Sequence, residues 1–262
     1  MTASKAPASE LTQRITVGVI LIILAVTEIW LGGIAFWILV TAAGVIMVSE
    51  YAALLKVSYE HRRMAMFAMC IPLGVLAPLA LGPGFFGLGL IFGMAIAVAI
   101  VARNAALGAG LVYVGLPILA LLWLRQMPEN GLVLTFWALS LVWATDIGAF
   151  FAGRAIGGPK IAPAISPSKT WAGLFGGMAM ATLLAVGFHR WLALPVPLVW
   201  ATPLLAVAAQ AGDFFESWMK RRAGVKDSGT LLPGHGGVLD RLDGVATAAP
   251  LAALFVAFGL AA

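Results

Sequence analysis

Nearly every segment of this chain that is long enough to form a secondary element is an apolar run of membrane-crossing length. Nine such runs are readable: 15–31, 33–50, 64–82, 85–102, 105–124, 131–151, 172–191, 196–211 and 244–262. Apolar stretches of about 20 residues match the hydrocarbon thickness when helical. With no water available to the backbone, helices are the natural way to cross, because each satisfies its own amides and carbonyls. The dyad alternation of a lipid-facing barrel is absent. Composition agrees: 62% of the 262 residues are hydrophobic and 10% charged, whereas soluble domains carry about 25% charged residues. A globule of this size could not hide so much apolar surface in water. The expected fold class is an all-α integral membrane protein, a polytopic bundle of about nine transmembrane helices with a cytoplasmic-facing polar site in the C-terminal half.

The breaks between runs carry turn chemistry. Gly32-Gly33 joins the first two runs, Gly82-Pro83-Gly84 separates the third from the fourth, and Pro195 and Pro197 open the eighth. Lys and Arg orient the bundle, since cytoplasmic loops accumulate them. With the N-terminus cytoplasmic, that side holds Lys5, Arg14, Lys56, Arg62, Arg63, Arg103, Arg154, Lys160, Lys169, Lys220, Arg221, Arg222, Lys226 and Arg241. The opposite side holds only Arg125 and Arg190, so 14 of the 16 basic residues fall on one side. That split predicts nine crossings in a cell inner (plasma-type) membrane and a C-terminus outside. The short polar N-terminus runs straight into apolar segments without a small-residue cleavage pattern, so no removable signal peptide is expected.

The two halves differ in chemistry. All five aspartates lie between positions 146 and 243. One integral-membrane domain over 1–262 is expected, with 1–130 mainly scaffold and 131–262 the catalytic half. The scaffold helices would pack, shape a cavity and could form a homodimer. The single cysteine, Cys70, excludes an intrachain disulfide or a thiolate metal site. The net charge of +5 lies in membrane-flanking loops, so no nucleic-acid partner is expected.

Two polar segments could carry chemistry. The first follows run six: Asp146-Ile-Gly-Ala, then Gly157-Gly-Pro-Lys160, then Ser166-Pro-Ser168-Lys169-Thr170. An aspartate in an apolar run is costly unless paired, hydrated or liganding a cation. Gly and Pro leave backbone N–H groups free to meet anions. Ser166, Ser168, Lys169 and Thr170 add hydroxyls and an ammonium suited to phosphate. The alternative is a basic loop that only anchors topology.

The second segment runs from Asp213 to Asp243. It holds five of the chain's eleven acids and five basic residues: Lys220, Arg221, Arg222, Lys226 and Arg241. A topology anchor would be basic only; mixed charge among glycines fits a site that holds a cation and an anion together. Mg2+ prefers one or two carboxylates, waters and substrate phosphates to a full protein cage. Asp240 and Asp243 would share a helix face at a spacing of three, and Asp213 could approach them across the bundle. The alternative for Asp240 and Asp243 is ion pairing with Arg241 and nearby lysines. His235, between glycines, could donate to a phosphate, or Pro-Gly-His-Gly-Gly could be a flexible link. No P-loop, nucleophile elbow or dinucleotide fingerprint is present, and no His/Cys cluster suits zinc.

The second segment resembles the phosphatidate cytidylyltransferase (CDP-diacylglycerol synthase) family. The resemblance rests on Ser217-Trp-Met-Lys220-Arg221, Lys226-Asp227, Pro233-Gly-His235-Gly236-Gly237 and Asp240-Arg241-Leu-Asp243. Asp146-x-Gly-Ala and Ser166-Pro-Ser168-Lys169-Thr170 are also similar to the family. The likeness is strong over about 146–243 and general before that. Where the family usually has an acidic residue before glycine, this chain has Ala172 before Gly173. The resemblance implies cytidylyl transfer from CTP to phosphatidic acid, giving CDP-diacylglycerol and pyrophosphate. It implies catalytic Lys226, Asp227, His235 and Arg241. Substrate would be bound by Asp146, Ser166, Ser168, Lys169, Thr170, Lys220 and Arg221, and metal by Asp213, Asp240 and Asp243. Mg2+ is the implied cofactor, as one or two ions or with an added monovalent cation. The partners would be CTP, phosphatidic acid and membrane lipids. A CTP-dependent polyprenol or lipid kinase is one alternative, although the complete Lys-Asp to Asp-Arg-x-Asp pattern argues against it. A transporter is another, although transporters keep ionisable groups near the midplane.

Overall fold

The computed structural model describes residues 7–260, whose order is α1 (Pro7–Leu31), α2 (Gly33–Leu54), α3 (Tyr59–Val75), α4 (Phe85–Val101), α5 (Ala105–Arg125), α6 (Gly131–Ala155), a β1–β2 hairpin (Lys160–Ala162 and Ser166–Thr170), α7 (Trp171–Leu192), α8 (Val196–Ala223) and α9 (Leu239–Phe255). Lys5 and the side chain of Arg14, both part of the charge split, lie outside the described residues. The protein is an all-α integral membrane bundle. Among the described residues six helices are long and apolar enough to cross a bilayer: α2, α5, α6, α7, α8 and the stretch Leu239–Gly259. Ile15–Leu31 and Phe85–Val101 are shorter apolar helices. Large apolar side chains such as Ile23, Phe85, Ile100, Phe151, Leu183 and Trp200 are exposed, as suits helices whose surroundings are hydrocarbon rather than water.

Several element boundaries depart from the apolar runs, each for a local reason. The third helix is Tyr59–Val75 rather than 64–82. It starts early because Ser58 Oγ accepts from His61 N–H at 3.3 Å, an N-cap. It stops early because Pro78 disfavours helical geometry at Ala77. The eighth helix does not end at 211 but runs to Ala223, where Gly224 takes φ 76° as a left-handed cap. Its added turns are held by i,i+4 pairs: Ser217 Oγ donates to Asp213 Oδ1 at 3.3 Å, and Lys220 Nζ lies 2.5 Å from Glu216 Oε2. The ninth helix begins at Leu239, so Asp240 and Asp243 are helical. It ends at Phe255, and Gly259 at φ 79° breaks the following turn. Thus much of the second polar segment is helix, and Ser166–Thr170 is a strand paired with Lys160–Ala162.

Packing places the polar ends of these helices together. Gly148, Gly176 and Gly177 let α6 and α7 approach backbone to backbone; a Cβ at Gly177 would lie 2.8 Å from the Thr145 carbonyl oxygen. Trp137, fully buried, donates from Nε1 to Thr202 Oγ1 at 3.1 Å, tying α6 to α8. On α9, Thr247 Oγ1 donates to the Ala208 carbonyl of α8 at 2.6 Å. At the opposite end Arg125 donates to the carbonyls of Ile29 (2.7 Å) and Trp30 (3.1 Å), closing the C-terminus of α1.

Candidate active site

The hairpin delivers the first polar segment to the second. Lys169 is half-buried on β2, and its Nζ donates to Gln210 Oε1 of α8 at 3.1 Å and pairs with the Asp213 carboxylate one turn later. Asp146, exposed on α6, lies within electrostatic reach of Lys169, Asp213 and Arg241. Asp243 lies within reach of Asp213, Asp146 and Lys220. Gly212 makes this convergence of α8 and α9 possible, because its missing Cβ would collide with the Asp243 carbonyl and Thr247 Oγ1. Three carboxylates from three helices therefore gather near the Lys169 and Lys220 ammoniums and the Arg241 guanidinium.

Asp240 does something else. Its Oδ1 accepts from Lys220 Nζ at 2.7 Å, and its Oδ2 accepts from Ser228 N–H at 2.9 Å and Gly237 N–H at 2.7 Å, with Ser228 Oγ also at 2.9 Å. Both oxygens are occupied by protein donors. Asp240 thus makes an ion pair of the kind weighed as the alternative to metal binding, with Lys220 as its partner. Lys220, expected on substrate, lies between Glu216 and Asp240 and pairs with both. Glu216 is 1% exposed, so a cation is needed beside it.

Thr170 is likewise committed: it is 3% exposed and its Oγ1 accepts from Gly173 N–H at 3.0 Å, the N-cap of α7. That cap works without help from Ala172, since the first turn of α7 carries no acid. Ser166 lies half-buried and Ser168 exposed on β2. Lys226, Asp227 and Arg221 are exposed on the turn between α8 and α9 or just before it. Arg241 Nε donates to the His235 carbonyl at 2.9 Å, which holds the glycine-rich turn back over α9. His235 itself lies against α1, its Nε2 at 3.4 Å from where a Gly18 Cβ would stand.

Three groups at this site were not signalled by any motif. Gln210, 3% exposed, holds Lys169 and leaves its Nε2 buried without a partner among the described residues. Tyr113 on α5 packs its ring edge-on to Phe215, with centroids 5.2 Å apart, and its buried hydroxyl is also unpartnered. Glu50 on α2 reaches the segment that starts α9. Each lies in an apolar run, and only contact across the bundle reveals it.

A family profile described as the cytidylyltransferase family matches residues 12–258. The chain belongs to that family. A phosphatidate cytidylyltransferase of Brucella suis is 38% identical over 255 residues, covering 94% of this chain and 93% of the relative. One of Pseudomonas aeruginosa is 42% identical over 164 residues, 60% of this chain and 59% of the relative. One of Bacillus subtilis is 42% identical over 135 residues, 50% of each. The protein is a membrane-embedded nucleotidyltransferase. The cytidylyltransferase match takes in both the polar segments and the amino-terminal helices that sequence motifs left unassigned.

Among the described residues no three His, Cys, Asp or Glu side chains converge closely enough to enclose a cation alone. Mg2+ takes one or two carboxylates and completes its shell with water and substrate phosphate. The donor set fits such an ion: hard carboxylate oxygens in excess, with no soft ligand nearby.

Proposed function

We propose that this cytidylyltransferase moves the cytidylyl group of CTP onto phosphatidic acid, releasing pyrophosphate and forming CDP-diacylglycerol. The observation that carries the reading is the pairing of Lys169 on the hairpin with Gln210 and Asp213 on α8, which joins two anion-suited segments at one helix end. The names of the relatives support the lipid acceptor. In the reaction an oxygen of the lipid phosphate attacks the α-phosphorus of CTP, and the bond to the bridging oxygen of the departing pyrophosphate breaks. Both reactants are anions, so positive charge must offset their repulsion and the charge gathering on the leaving group. Lys169, with Ser166 and Ser168 beside it, would hold one phosphate. Arg241 and Lys226 would act on the reacting pair, Arg through a planar bidentate grip and Lys as a mobile point charge. Arg221, Asp227 and His235, all flanking that turn, would complete the binding surface. Asp213 and Asp243, with Asp146 near them, would hold Mg2+, which supplies charge neutralisation at the phosphates.

The lipid tails remain in the leaflet, so the site belongs at the membrane boundary. The charge split supports nine crossings, a cytoplasmic N-terminus and a site facing the cytoplasm of an inner (plasma) membrane. Contacts of α2 and α5 with α8 and α9 support a single domain in which 1–130 frames 131–262. The test is purified protein with CTP and phosphatidic acid. Pyrophosphate and CDP-diacylglycerol are the expected products; CDP with a phosphorylated lipid alcohol would assign a kinase, and no CTP turnover would sink the enzymatic reading.

A further inference from the structure

Glu50 sits near the end of α2, far from every motif, and is 5% exposed. Its oxygens reach across the bundle. Oε1 accepts from Val238 N–H at 3.1 Å, and Oε2 accepts from Leu239 N–H at 2.8 Å. These are among the first amides of α9, and Val238, at the N-cap position, makes no side-chain cap bond. Such amides need an acceptor when buried, and an anion there also meets the positive end of the helix dipole. Glu50 is thus a cap supplied by another helix.

The turn before α9 is shaped around the same carboxylate. A Cβ on Gly229 or Gly237 would collide with Glu50. Ser228 Oγ lies 2.9 Å from Asp240 Oδ2 and 3.4 Å from Glu50 Oε2, and its single proton serves one of them at a time. From Asp240 the network continues to Lys220 and Glu216 on α8. The buried anion of α2 therefore holds the turn and the first turn of α9 against α8.

We infer that Glu50 is a positioning residue for the transfer reaction: its buried carboxylate clamps segment 228–239 and so sets where Arg241 and Asp243 stand relative to Asp213 and Lys169. It touches no substrate. Its kinetic consequence rests on the transferase reading above; its structural consequence does not. Charge and two acceptor oxygens are both required. A Gln would put an NH2 group against one of the two amides and remove the anion from the helix end.

The test compares Glu50→Gln with Ser49→Ala in purified, detergent-solubilised protein. Ser49 is a buried neighbour on α2 that accepts from Arg62 and leaves the turn alone. Glu50→Gln should lower kcat at least about tenfold per folded enzyme, the loss expected for a charge-assisted hydrogen bond. It should also raise the Mg2+ concentration needed for half-maximal rate, and shift KM for CTP less than kcat. Hydrogen exchange at the Val238 and Leu239 amides should quicken, while amides in the middle of α5 and α6 stay protected. Ser49→Ala should retain activity. A Glu50→Gln enzyme with wild-type kcat and Mg2+ dependence overturns the proposal, as does an equal loss in Ser49→Ala, which would assign the effect to α2 packing. If Glu50→Gln does not accumulate, Gly229→Ala, which presses on the carboxylate without removing it, should show the same loss of kcat; full activity there also overturns the clamp. If the wild type releases no pyrophosphate, the transferase reading fails, and exchange alone decides the clamp: unchanged protection at 238–239 in Glu50→Gln refutes it.

Discussion

Lys169 is the residue on which the two polar segments meet, and its replacement measures how much that meeting contributes. A lost charge-assisted hydrogen bond is worth about 1.5–3 kcal/mol, or roughly 10 to 150-fold. Lys169→Ala should therefore lower kcat/KM at least about tenfold. Arg103→Ala, an exposed cation at the end of α4, should change it little; equal losses would mean that positive charge acts only as a general field. Arg62 is unsuitable as that control, because its guanidinium donates to Ser49 Oγ at 2.6 and 2.8 Å beside Glu50. The aspartates of α9 separate by environment. Asp243→Asn should abolish most turnover and leave the thermal midpoint close to wild type. Asp240→Asn weakens a buried ion pair with Lys220, a class of change that costs about 3–5 kcal/mol when a partner is removed, so it should lower the midpoint as well as the rate. Thermal unfolding monitored beside turnover distinguishes them, and a reversed pattern would reassign the metal-facing carboxylate to Asp240.

At the scale of elements, the site depends on how closely α8 and α9 approach and on where α7 starts. Gly212→Ala puts a methyl group into the Asp243 carbonyl and Thr247 Oγ1. Overpacking of that kind costs about 1–3 kcal/mol, and here it would also spread the carboxylates proposed to hold Mg2+. Activity should fall and the Mg2+ requirement should rise in the same variant; wild-type Mg2+ dependence would show that the spacing is not critical. Thr170→Ala removes the α7 cap, worth about 0.5–2 kcal/mol. Its thermal midpoint should drop while kcat/KM of the folded enzyme stays near wild type, and Thr170→Ser should restore the midpoint. A large kcat/KM loss with an unchanged midpoint would assign Thr170 to substrate binding.

For the whole molecule the deciding quantity is sidedness. In a Cys70→Ser background, which removes the chain's single, exposed cysteine, a cysteine at position 226 should be labelled only from the cytoplasmic face of sealed vesicles. Labelling only from the outer face would overturn the orientation drawn from 14 of 16 basic residues. The structure puts the polar ends together: the C-termini of α6 and α8, the hairpin, and the N-terminus of α9. Helices α2 and α5 reach the same end through Glu50, which accepts from Leu239 N–H, and Tyr113, which packs on Phe215.

What could be read along the chain was whatever local physics repeats or isolates. Apolar runs of bilayer length announced helices, and Asp-Arg-x-Asp with its flanking glycines announced the cytidylyltransferase family; the sidedness of Lys and Arg gave an expected orientation. Helix ends were legible only to within a turn or more. Asp213–Arg222 looks like loop by charge, yet its i,i+4 partners extend α8 by three turns. The fates of the individual carboxylates were decided in three dimensions. Asp240 and Asp243 stand three residues apart with the same chemistry; one turns toward Lys220 and two amides, the other toward Asp213. Glu50 and Gln210 are polar side chains in apolar helices, and no neighbour in sequence says what they bond. A buried acceptor takes its role from the donors that close around it, and for Glu50 those lie 188 and 189 residues away.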